Sequence, residues 1–241
     1  MQGYTVAQAL KVNDQKTEVC LFSKLDTLPV SLSINGYDIT SKNQINVLGV
    51  IFDSKLQWQP QIANSIKKAS KAKYAISMIR RFFTKTELNN LLTSYYYSVL
   101  YYNSDIWLIP SLKPQLLQQL LSASASALKM ISYSYDQSIS FEQTHATLNR
   151  ATPKMFMAYK HALMLFRIFN DPLQSRDWVS LNFQLIFNTR DQFIKVVDTS
   201  RLKIGKNLAV NRIRIVNGKI MYAWLNLTYE TFKLKCKSIF L

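Results

Sequence analysis

Between residues 60 and 86 stand seven cations, Lys67, Lys68, Lys71, Lys73, Arg80, Arg81 and Lys85, and not one carboxylate. Such side chains neutralise phosphate oxygens and displace counterions, with no preference for base sequence. Lys67 and Lys71, four residues apart, share a face if the segment is helical. Positive charge without balancing acids reads as a nucleic-acid contact in preference to an ordinary solvated face. Groups suited to other chemistry are sparse. Asp14 and Glu18 lie near each other but match no metal-ligand motif. Cys20, His145, His161 and Cys236 lack zinc spacing, and the two histidines are too far apart for a helical pair. With five glycines in all, the chain has no nucleophile elbow and no glycine-rich phosphate loop. A Ser–His–Asp arrangement is spatial, so spacing does not settle it. Tyr95, Tyr96, Tyr97, Tyr101 and Tyr102 could stack on bases, but at helical spacing they read as core and interface.

The whole chain shares the bias. Lys and Arg number 30 against 14 acids, a formal charge of +16, which favours polyanions: nucleic acid first, an anionic membrane surface second. At 241 residues and 48% hydrophobic, the chain is too apolar for disorder and can bury one large core or two smaller ones. Cys20 and Cys236 sit at opposite ends and imply no disulfide framework, so a reducing compartment is the default. No charged segment followed by an apolar run opens the chain, so secretion is not expected and the location expected is intracellular, nucleus or cytoplasm. Asn89, Asn90, Asn103 and Asp105 interrupt the apolar stretch from Leu88 to Ile109, which reads as a buried helix and not a membrane span. Neither a membrane nor a small-molecule substrate is expected as partner, and the oligomeric state stays open.

The elements that must position these groups form an α+β chain, mostly α. Val19–Phe22 has the length of a strand. Val30, Leu32 and Ile34 alternate with serines and run into Asn35–Gly36, a hairpin signal because a type I′ turn needs positive φ at both central residues; Tyr37–Ile39 begins the return strand. Val47–Phe52 reads as one β-branched strand, with Gly49 marking a bulge or a close backbone approach. From Trp58 the period becomes helical, and Ile62, Ile66, Ala69, Ile76, Ile79 and Phe83 define an apolar stripe opposite Lys67 and Lys71. Thr84 and Glu87 have the form of a capping box, starting a second helix that continues through the tyrosines to about Leu108, before Pro110. A third spans Pro114–Ile131 on Leu116, Leu117, Leu120, Leu121, Ala127 and Leu128. A fourth spans Lys154–Phe169, opened by Thr152–Pro153 and stopped by Asn170–Pro172. Residues 207–221 alternate in part, and Asn217–Gly218 could turn a hairpin. The composition becomes richer in Lys and Arg near Pro172.

Three stretches, in order, resemble non-LTR retrotransposon reverse transcriptases of the jockey-like type. Leu10-Lys11-Val12-Asn13-Asp14-Gln15-Lys16-Thr17-Glu18 is similar to the family's lysine-threonine-glutamate segment, which closes the palm after the catalytic hairpin. Leu48-Gly49-Val50-Ile51-Phe52-Asp53-Ser54-Lys55-Leu56-Gln57-Trp58 resembles the strand and turn that hold the primer end. Tyr97-Ser98-Val99-Leu100-Tyr101-Tyr102-Asn103-Ser104-Asp105-Ile106-Trp107 looks like a thumb helix. Leu148–Pro153 and Phe232–Lys237 are similar to the carboxy-terminal tails of such elements.

The resemblance implies three parts: residues 1–57 as the end of a palm with a primer-grip-like strand, 58–172 as a helical thumb, and 173–241 as a basic carboxy-terminal segment. It implies an RNA or RNA–DNA duplex as partner, held by Lys16, Leu48, Gly49, Lys67, Lys68, Lys71, Lys73, Arg80 and Arg81. It also implies that the full-length enzyme uses Mg on a palm aspartate pair, where two metals activate the primer hydroxyl and steady the pyrophosphate. Only nine residues precede Leu10 and no Asp-Asp pair occurs, so no cofactor and no polymerisation are expected of this chain alone. Lys16 occupies the position of a lysine that can protonate leaving pyrophosphate, a role that would be idle without the metals; otherwise it is an exposed turn lysine. The competing expectation is a helical protein-interaction or structural module with no polymerase role.

Overall fold

Residues 13, 16–23, 28–34, 36–132, 138–170, 183–187, 194–198, 219 and 227–240 are described by the computed structural model. They fall into two units, residues 1–64 and 65–241. The class is α+β, mostly α.

In the first unit, β1 (Ser31–Ile34) pairs antiparallel with β2 (Tyr37–Thr40), Ile34 opposite Tyr37. Gly36, with φ of +81°, supplies a conformation that a residue bearing a Cβ resists. The next segment departs from expectation. In place of one strand, β3 (Gln44–Val47) and β4 (Val50–Asp53) form a second hairpin with Val47 opposite Val50. Leu48 and Gly49 are its turn, at φ of +49° and +82°, so Gly49 marks no bulge; positive φ at both central residues matches the twist of the flanking strands. Val19–Phe22 is not a strand either. It runs irregularly, with the Lys42 amide donating to the Val19 carbonyl at 2.7 Å and the Ser23 amide to that of Ser54 at 3.0 Å.

Helix α1 (Gln59–Ile79) crosses from one unit into the other. Trp58 precedes it at φ of +66°, and its carbonyl accepts the Ile62 amide at 3.0 Å. The buried line of α1 holds Ile62, Ser65, Ala69 and Ile76, whereas Ile79 and Phe83, expected on that stripe, are exposed. Ile79, the last residue of α1, sits about 80° from the line of Ile62, Ala69 and Ile76; Phe83 lies beyond the helix, after the 3-10 turn Arg80–Phe82 and in extended backbone, so the hundred-degree phase no longer applies to it.

In the second unit, Thr84 and Glu87 close the expected capping box on α2 (Lys85–Leu91). The helix expected to reach Leu108 is interrupted. A π-turn occupies Leu92–Tyr97, α3 is only Ser98–Leu100, and Asn103 at φ of +47° separates it from α4 (Ser104–Trp107). Asparagine tolerates the left-handed region better than most residues. The Trp107 indole N–H donates to the Tyr102 carbonyl at 2.9 Å, satisfying a carbonyl at the break. Helix α5 (Pro114–Ser132) buries Leu116, Leu120, Leu121, Ala127 and Leu128 on the expected side. A second capping box, Ser140 with Gln143, starts α6 (Phe141–Thr147), and α7 spans Pro153–Asn170.

Helix α8 (Tyr229–Phe240) was not anticipated. It buries Phe232, Cys236 and Phe240 at four-residue spacing and lies on α7, with the Phe166 and Phe232 ring centroids 4.5 Å apart. Helix α5 contacts α2, α6 and α7, and α4 contacts α7. The core of this unit therefore gathers around Tyr96, Leu100, Trp107, Leu120, Leu128 and Leu165. Strands β5 (Phe183–Phe187) and β6 (Ile194–Asp198) pair antiparallel. The hairpin expected around Asn217–Gly218 lies outside the described residues, as do Asp171 and Pro172. Among the described residues no helix is long and apolar enough to cross a membrane.

Candidate nucleic-acid interface

Helix α1 forms because Ile62, Ala69 and Ile76 recur every seven residues on one side and must leave water. At about 100° per residue, the opposite side then carries Lys67 and Lys71, both exposed. Neither they nor the exposed Lys68 form an ion pair among the described residues. Their ammonium groups are thus presented to solvent with no described carboxylate to compete for them. Arg81 is exposed as well, its guanidinium 4.7 Å above the Phe82 ring centroid.

Two of the expected cations face elsewhere. Lys73, half-buried, donates to Ser126 Oγ on α5 at 2.9 Å. Arg80, also half-buried, donates to the Met130 carbonyl at 3.4 Å. Lys73 sits about 40° from the centre of the line of Ile62, Ala69 and Ile76, close enough for its stem to lie along α5. These two join α1 and the turn after it to α5, and the outward basic face reduces to Lys67, Lys68, Lys71 and Arg81.

The exposed side of α1 and the turn after it also carry residues that charge counting missed. Tyr74, Met78 and Phe82 are 68%, 62% and 69% exposed at four-residue intervals. Their spacing was readable in the sequence; their exposure was not, because apolar residues at helical intervals ordinarily signal core.

The motif expected to hold a primer end lies in the first unit. Leu48 is 85% exposed at the tip of the β3–β4 turn. Behind the turn, the Asp53 carboxylate organises the loop into α1: Oδ1 accepts the amides of Lys55 (3.2 Å) and Gln57 (2.9 Å), and Oδ2 accepts that of Trp58 (2.7 Å). Leu56 and Trp58 both hold positive φ, a geometry that non-glycine residues keep only when their surroundings fix it. The buried Trp58 ring meets Phe52 edge-on, centroids 5.3 Å apart. Gln61, buried in the first turn of α1, accepts the Ile51 amide of β4 through Oε1 at 2.9 Å. The spacing of Leu48, Gly49, Asp53, Leu56 and Trp58 thus has a mechanical content: a hairpin turn, a carboxylate that gathers amides, and a helix start. Lys16 is exposed; its amide donates to the Asn13 carbonyl at 3.1 Å. The Glu18 carboxylate pairs with Lys42 at 2.5 Å, and Asp14 lies outside the described residues.

Of the tyrosines, Tyr96 is buried and donates to the Ala123 carbonyl at 2.8 Å, while Tyr101 stacks on Phe156 with centroids 4.4 Å apart. Tyr95 and Tyr102 are exposed. Next to this cluster a serine meets a histidine: Ser124 Oγ lies 2.8 Å from His145 Nε2. His145 Nδ1 is 2.8 Å from the Phe141 carbonyl, which can only accept, so Nδ1 carries the proton and the neutral ring turns an unprotonated Nε2 toward the Ser124 hydroxyl. The Tyr97 hydroxyl, 3.2 Å from Ser124 Oγ, completes the network. Burial lowers the His145 pKa and raises that of Tyr97. Ser124 and His145 are fully buried, so a substrate has no approach to the hydroxyl in this conformation, and the pair ties α5 to α6.

Among the described residues, no three His, Cys, Asp or Glu side chains converge as a metal site would require. No protein-family model matches the chain, and no match to a curated protein or a solved structure was found.

Proposed function

We propose that the chain is the carboxy-terminal part of a non-LTR retrotransposon reverse transcriptase, in which a basic thumb grips an RNA or RNA–DNA duplex while the metal-binding aspartates belong to a part outside this chain. The observation that carries the reading is the outward face of α1, where Lys67, Lys68 and Lys71 stand exposed and unpaired by any described carboxylate. A thumb has to follow the sugar–phosphate backbone without reading bases, and cations on a helix braced from behind meet that need. The loop from Leu48 to Trp58 supports the same reading, since Asp53, at the end of the strand that follows the exposed hairpin tip, gathers the amides that lead into the helix. On this reading the chain by itself binds but does not polymerise.

The test is equilibrium binding of the purified chain to an RNA–DNA hybrid across a salt series. The expected result is a steep linear fall of log affinity with log salt and little dependence on base sequence. A flat salt response would remove the basis of the proposal.

A helical protein-interaction module is the second reading, favoured by the exposure of Tyr74, Met78 and Phe82. Its sign would be a protein partner that stays bound after nuclease treatment.

A further inference from the structure

We propose that Tyr74, Met78 and Phe82 form a ledge on which the bases of an unpaired nucleic-acid strand stack while its phosphates meet Lys67, Lys71 and Arg81. The inference rests on the nucleic-acid reading above and assigns the same face a second substrate form.

Three observations carry it. First, Tyr74 and Met78 lie one turn apart on the outward side of α1 and Phe82 follows in the 3-10 turn after it, the three spread over about 12 Å, the length of a few stacked bases. Each is more than 60% exposed, whereas Ile62, Ala69 and Ile76 on the opposite side are buried, so the strip is not an edge of the core. Second, a base within a duplex hides its faces in the stack, and exposed rings can reach only bases that are unpaired. Cations alone suffice for the duplex; the rings add a contact that only a single strand or a frayed end can use. Third, the Arg81 guanidinium already lies over Phe82 at 4.7 Å, joining ring and cation in a unit that accepts a base and a phosphate together.

Charge decides between this occupant and a partner helix. An apolar helix laid on the strip would trap Lys67, Lys71 and Arg81 at its margins unless it brought carboxylates to each, whereas a nucleic-acid strand brings a phosphate with every base. Residues 59–86 contain no acid that would repel it.

The experiment compares the unaltered chain with Y74L/F82L and K67A/K71A, measuring affinity for an oligothymidine strand and for an RNA–DNA hybrid of equal length. Leucine keeps the strip apolar and removes the rings. The expected result is a loss of roughly tenfold or more in single-strand affinity for Y74L/F82L, with hybrid affinity unchanged. K67A/K71A should weaken both. The ring-preserving pair Y74F/F82Y should match the unaltered chain, which separates loss of stacking from loss of folding.

Single-strand affinity that is equal in Y74L/F82L and the unaltered chain overturns the ledge but leaves the duplex grip standing, provided the hybrid still binds with a steep salt slope. Failure of the unaltered chain to bind either nucleic acid overturns both. Retention by Y74L/F82L of a designed acidic amphipathic peptide, without any ring effect on the oligonucleotides, would assign the strip to protein docking and overturn the ledge.

Discussion

The Asp53 carboxylate accepts the backbone amide of Trp58 at 2.7 Å, and through this bond the end of β4 determines where α1 begins. Lys55 and Gln57 donate to the same carboxylate, so the three amides are organised by a single charged acceptor. Hydrogen bonds to charged groups are the stronger class, and Leu56 and Trp58 hold positive φ only while the loop is held. Asp53→Ala is therefore expected to cost about 2–4 kcal/mol in chemical denaturation. Asp53→Asn, which keeps the shape and loses the charge, should cost less. A loss under about 0.5 kcal/mol in the alanine variant would show that the turn is held by other means.

Lys67 and Lys71 are the two cations that project directly away from the buried line of α1. If each meets a phosphate, removing both should lower the slope of log affinity against log salt by about 2. Lys73→Ala should leave that slope unchanged, because its ammonium group already donates to Ser126. Equal slopes for all three proteins, measured by fluorescence anisotropy, would place the phosphate contacts elsewhere.

Arg150 ties the chain before α7 back to α2. Its Nε donates to Asn89 Oδ1 at 2.9 Å and its Nη2 to the same oxygen and, at 3.0 Å, to Thr93 Oγ1. The guanidinium also stands over the Tyr97 ring at 5.9 Å. A lysine cannot reproduce a planar fork, so Arg150→Lys should destabilise the second unit by about 1–2 kcal/mol despite the conserved charge. A thermal melt of the variant indistinguishable from that of the unaltered chain would refute this.

His145 makes stability depend on pH. Burial holds its imidazole below the ordinary value of 6.5, so the unfolded chain binds the proton more readily than the folded one. The stability associated with the neutral ring is complete above about 6.5 and falls as the pH drops toward the lowered folded value, by up to about 1.4 kcal/mol per pH unit. His145→Gln should flatten denaturation midpoints across that window. An unchanged pH dependence in the variant would assign the titration to another group.

Some of this was legible in the chain alone because it is local. The seven-residue recurrence of Ile62, Ala69 and Ile76 defines α1 and the face of Lys67 and Lys71. Asn35–Gly36 marks the β1–β2 connection, Thr84 with Glu87 marks the start of α2, and the runs from Pro114 and Thr152 mark α5 and α7. Each depends on neighbours within a few residues, where periodicity and capping chemistry operate.

The misread features depend on partners far along the chain or on a phase that local counting cannot follow. Leu48–Gly49 resembles the interior of a strand until the pairing of Val47 with Val50 shows a turn. The stretch from Leu88 toward Leu108 carries no proline or glycine to stop a helix, yet a π-turn and Asn103 divide it.

For the candidate site, composition and spacing determined that α1 would be a basic amphipathic helix, because alternation of burial and charge is written in a sequence at the helical period. Which cations stay in water was decided only by the tertiary structure: α5 supplies the Ser126 hydroxyl and the Met130 carbonyl that engage Lys73 and Arg80, and nothing described covers Tyr74, Met78 and Phe82. A side chain's charge belongs to its own residue, but its accessibility belongs to whatever the rest of the chain places beside it.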